Sequence, residues 1–89
     1  MTTKTPITAN VSFDADGHPG QINIAGLDFE SLVRNIFQFD LENPEKAKVT
    51  EFTMPDGRKF HFNSYVAHAW LDHGRINEDQ FIEASLQTD

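Results

Sequence analysis

Fourteen carboxylates and four histidines are the groups with the widest chemical reach in this 89-residue chain. His68 and Asp72 stand four residues apart, so on a helix both side chains leave the same face, with His73 next to them and His61 on the strand that precedes. Such a set could hold a divalent metal and activate a water for hydrolysis. Against it, the helix carries only one His on that face, no HExxH-type pair is present, and a His bonded to a carboxylate one turn away is commonplace. His73 near a helix C-terminus is accounted for by the dipole there. No metal is expected.

Other catalytic constellations are weaker still. The absence of Cys excludes a disulfide scaffold, a Cys-based zinc site, a thiol nucleophile and an iron–sulfur cluster. Ser12, Ser31, Ser64 and Ser85 lie in no GxSxG elbow, and no glycine-rich phosphate loop precedes a helix. Asp14 with Asp16, and Glu78 with Asp79, occupy turn and helix-cap contexts that explain them. Gly74-Arg75-Ile76 followed by Gln80-Phe81 is similar to the second half of an EF-hand loop, but aligning Gly74 puts Ala69 and Leu71 where the first two carboxylates belong and Gln80 where a bidentate Glu is needed. A helix-turn-helix reader of DNA would present Glu78, Asp79 and Glu83 to the bases, where acid repels phosphate. The chain reads as a non-enzyme with no cofactor.

These groups must be positioned by elements that the apolar pattern marks out. Ile7, Ala9, Val11 and Phe13 alternate with polar residues as in a half-buried strand. The stretch 14–20 is dense in turn formers, and 21–24 alternates again, which predicts a hairpin with a longish loop. Phe29, Leu32, Val33, Ile36 and Phe37 repeat as one stripe of a helix, with Asp28 capping its first turn, Leu27 stapling onto Leu32, and the helix fading near Asp40 ahead of Asn43-Pro44. Lys46 to Met54 and Arg58 to Phe62 read as two strands joined by Pro55-Asp56-Gly57. Ser64 is placed to cap a short helix through Trp70 that Gly74 ends. Asn77 and Gln80 form a capping box, with Ile76 and Phe81 as its staple, for a last helix running to about Leu86. The order is ββαββαα: a single α+β domain over residues 1–89, with 1–5 as a flexible lead and helices on one face of a mainly antiparallel four-stranded sheet.

Composition agrees with one folded unit, at 38% hydrophobic and 24% charged residues with eight Phe to fill a small core. The start of the chain is polar and no apolar run approaches a membrane span, so a cytoplasmic location is expected and membrane association is not. Seven basic against fourteen acidic residues give a net charge of −7, which opposes direct nucleic-acid binding and favours a basic protein partner. Charge is uneven: Lys46, Lys48, Arg58 and Lys59 make the second hairpin basic, and the helices are acidic.

Two surfaces survive. Asp79 and Glu83 are like charges one turn apart, with Glu78 and Asp72 as extensions of the patch, forming either a solvated face or a docking face for the basic surface of a larger protein. Phe39, Tyr65 and Trp70 either join the other rings in the core or remain at the surface as a partner or homodimer interface. The reading that follows is a small acidic protein-binding module acting as inhibitor or adaptor of a larger machine, one that handles nucleic acid being a natural target. In size, acidity and lack of Cys it resembles, in genre and by no motif, the phage and mobile-element proteins that block host defence, anti-CRISPR proteins among them. A small structural or self-associating homodimeric protein is the alternative. A metal-dependent hydrolase on His61, His68, Asp72 and His73 is the third reading.

Overall fold

In a computed structural model the described residues are 6–42 and 48–86. The chain runs β1 (Ile7–Ala15), β2 (His18–Gly26), α1 (Phe29–Glu42), β3 (Lys48–Thr53), β4 (Lys59–His61), α2 (Ser64–Leu71) and α3 (Glu78–Ser85). The four strands form one antiparallel sheet in the order β2-β1-β3-β4. This is the predicted ββαββαα α+β fold. The flexible lead assigned to residues 1–5 and the strand start assigned to Lys46 lie outside the described residues.

The alternation in the strands sets the two faces. Ala9, Val11, Val49, Phe52 and Phe60 turn inward and meet Leu32, Val33, Ile36 and Phe37 of α1, Ala67 of α2 and Phe81 of α3 in one buried cluster. Val11 is paired with Phe52 and Phe52 with Phe60, so large rings cross the sheet, and the Phe52 and Phe60 rings stack at 4.9 Å. The opposite face carries Asn10, Ser12, Gln21, Asn23, Glu51 and Thr53, which follow the intervening positions of the same ladders. Between β1 and β3 the register shifts at Ser12/Phe13, where Thr50 is the extra residue of a bulge and its hydroxyl donates to the Ser12 carbonyl at 3.3 Å.

Three local expectations are corrected. The β1–β2 connection is a two-residue turn, because Ala15 pairs with His18 and both Asp16 and Gly17 have positive φ, 55° and 80°. Asp-Gly in this conformation matches the twist of the flanking strands, and His18-Pro19-Gly20 belongs to β2. The cap of α2 is Asn63, whose side chain accepts from the Tyr65 amide at 2.9 Å, while Ser64 is already helical. Leu27, expected to staple onto Leu32, is 62% exposed and belongs neither to the core cluster nor to the side chains packed against it. A Cβ on Gly26 would lie 2.6 Å from the Cα of Leu32, so only glycine lets the end of β2 approach α1 this closely.

The remaining caps stand as read from the sequence. Asp28 accepts from the Ser31 amide at 2.8 Å, and Asn77 and Gln80 make both bonds of the capping box. α1 continues to Glu42, slightly beyond the expected fade near Asp40. The β3–β4 turn places Gly57 at φ 96°.

Strand pairing also decides which backbone groups reach solvent. Because Ala15 and His18 close the turn as a hydrogen-bonded pair, alternation leaves Pro19, Gln21, Asn23 and Ala25 with their backbone groups facing away from β1. Pro19 has no N–H to present, and the Ala25 carbonyl accepts from Asn35 Nδ2 of α1 at 2.7 Å. The sheet's other edge is bridged at Phe60 by Leu86, which follows α3.

Candidate functional site

The C-terminal turn of α2 gathers most of the titratable groups singled out by sequence. His68 Nδ1 lies 3.7 Å from one carboxylate oxygen of Asp72, and Arg34 of α1 reaches the other at 3.8 Å. The His68 and His73 rings stack at 4.3 Å, and the edge of Phe37 packs on His68 at 5.8 Å. All three ion-pairing side chains are close to half exposed, so the pairs orient one another more than they stabilise the fold. His61 is elsewhere: it pairs with Glu51 across β3 and β4 and leaves the sheet on the face opposite Phe60. The four proposed metal ligands are therefore not brought together. Among the described residues no group of three or more His, Cys, Asp or Glu side chains could hold a metal.

A spacing that the sequence reading passed over is Ser64, His68 and Asp72, three residue types of a nucleophilic triad one turn apart on α2. They are not assembled as one. No hydrogen bond joins Ser64 to His68, and the 3.7 Å separation of His68 from Asp72 is beyond hydrogen-bond length.

Beside this cluster lies an open groove of about 510 Å³ between the C-terminal half of α1 and α2. Its walls are Phe37, Leu41, Tyr65 and Ala69, and Ser64, His68, His73 and Arg75 supply its polar rim. Two of the wall residues are unusually bare, Tyr65 at 86% and Leu41 at 54% exposure. Arg75 is brought to the rim by the turn after α2, where Gly74 adopts φ 61° and the Arg75 amide returns to the Ala69 carbonyl at 2.8 Å. Among the described residues Arg75 makes no ion pair.

Of the three aromatics assigned to the surface, Tyr65 alone is fully exposed. Trp70 is half-buried, packed between Phe29 at 6.0 Å and Phe81 at 4.9 Å, and Phe39 is half-buried against Phe13 at 5.6 Å. The cause is tertiary: α1 and α3 each contribute a ring to cover Trp70, and β1 contributes one to cover Phe39.

The acidic residues divide in the same way. Glu78, Asp79 and Glu83 are exposed on α3 and make no ion pair among the described residues, whereas Asp72 is engaged by Arg34 and His68. The Phe29 ring of α1 lies 6.0 Å from the Phe81 ring of α3. Among the described residues no helix is long and apolar enough to cross a membrane.

Comparison of the chain with protein-family models, with curated proteins and with solved structures finds no match.

Proposed function

We propose that this protein is a non-enzymatic cytoplasmic binding module whose acidic helical end docks on the basic surface of a larger protein. The observation that supports it is the run of exposed carboxylates Glu78, Asp79 and Glu83 on α3, which make no ion pair among the described residues. Acid on the first turn of α3 is favourable to that helix, but Glu83 lies beyond it and repels Asp79 one turn away. A mildly unfavourable pair held in the open is suited to a cationic partner, which relieves the repulsion and steers encounter. Proteins that handle nucleic acid expose such basic grooves, so an inhibitor or adaptor of a nucleic-acid machine, in the style of phage anti-defence proteins, fits this surface.

The test begins with capture of the partner from native host lysate on immobilised protein, identification by mass spectrometry, and measurement of purified association over a range of salt. Asp79→Lys combined with Glu83→Lys slows association at least tenfold at low salt and flattens its salt dependence, with the circular dichroism spectrum unchanged. Equal association rates for the variant and the wild type would overturn the proposal.

A further inference from the structure

The α1–α2 groove differs in character from the acidic end of the molecule. Its volume, about 510 Å³, lies in the range of small-ligand sites, and its walls are apolar and aromatic, Phe37, Leu41 and Tyr65. Every charged or titratable side chain on its rim is basic in type, Arg75, His68 and His73. The nearest carboxylate in the cluster, Asp72, is held by Arg34 and His68. Two other depressions have no cation among their lining residues: one is lined around Asp14 and Pro19, the other around Leu27 and Asn35. Among the described residues the Arg75 guanidinium makes no ion pair, and it stands beside exposed apolar walls in a chain of net charge −7.

We infer that this groove is a binding site for a small aromatic carboxylate, its ring against Phe37, Leu41 and Tyr65 and its carboxylate on Arg75. A guanidinium fork matches a carboxylate with two parallel N–H···O bonds. One cation also fits a singly charged ligand better than a phosphate, because each added negative charge meets the repulsion of the whole acidic molecule. The stacked His68 and His73 rings complete the polar side, and the Gly74 turn, tied back to Ala69, holds Arg75 at the rim. The site is separate from the acidic residues of α3, so it stands or falls independently of the docking proposal.

Phenylacetate and its uncharged amide, phenylacetamide, are the probes, titrated at matched ionic strength into the ¹⁵N-labelled protein. Phenylacetate shifts the amide resonances of Tyr65, Ala69 and Arg75 and binds about tenfold more tightly than phenylacetamide, as a charge-assisted hydrogen bond implies. Arg75→Gln abolishes the preference and leaves the melting temperature unchanged, since Arg75 is exposed and makes no ion pair among the described residues. Tyr65→Ala weakens both probes alike. Equal affinity for the two probes, shifts that map onto the β1–β2 hairpin, a preference that survives Arg75→Gln, or no shift at millimolar phenylacetate would each overturn the inference.

Discussion

Asp56 shows how a single exposed carboxylate is tuned by a turn. The Arg58 amide donates to it at 3.0 Å and the Arg58 side chain closes on it at 2.8 Å, and its carboxyl is held below the ordinary aspartate value, chiefly by that backbone bond. A depressed folded-state value contributes stability above the unfolded value of about 3.9, and the contribution is lost as pH falls through the folded one. Asp56→Asn therefore removes part of the acid-side loss, seen as a shallower fall in melting temperature from pH 5 toward pH 2. Gly26 is sensitive for a different reason, since a methyl there strikes the backbone of Leu32, which cannot swing aside. Gly26→Ala should cost about 3 kcal/mol by chemical denaturation, at the upper end of overpacking. Asp56 and Gly57 were legible as turn chemistry. Gly26 was not, because its need for close approach arises only when α1 folds back over β2.

Among the elements, α1 was readable from a full apolar stripe with Asp28 as its cap, and α3 from its Asn77–Gln80 capping box. Ile36 is fully buried and Gln38 exposed, so Ile36→Ala should cost roughly 2–5 kcal/mol and Gln38→Ala no more than about 0.5. Similar denaturation midpoints for the two variants would refute the stripe. Asn77→Ala breaks the capping box of α3 and should cost about 1 kcal/mol, with amide exchange accelerating first at Asp79 and Gln80. The hairpin turn was misread because residues 14–20 hold two turn-forming runs. Asp16-Gly17 takes the turn, since it alone supplies two successive residues with positive φ, while Pro19 fits β2 as an edge strand with its nitrogen facing outward. Trp70 and Phe39 were placed at the surface for want of their partners Phe29, Phe81 and Phe13, which lie on other elements.

At the scale of the molecule, the separation of a basic second hairpin from acidic helices was visible along the chain, but the meeting of Phe29 with Phe81 depends on how the helices pack. The open edge of β2 is the natural place for two copies to join, and it is short. Pro19 closes one end and Asn35, through the Ala25 carbonyl, closes the other, leaving the backbone groups of Gln21 and Asn23. Light scattering should accordingly report a monomer at micromolar concentration, and a concentration-dependent dimer would point to another surface.

Asn35 also imposes an order on events during synthesis. The β1–β2 hairpin leaves the ribosome before α1, with Ile22, Ile24 and the whole outward side of β2 available to any neighbouring chain. Seating α1 covers the hairpin and, through the same movement, delivers the amide that caps the Ala25 carbonyl, so the step that begins the core also shortens the exposed edge to the backbone groups of Gln21 and Asn23. Asn35→Ala should therefore leave the melting temperature nearly unchanged while lowering the refolded yield as protein concentration rises, a loss of kinetic protection without an equal loss of equilibrium stability.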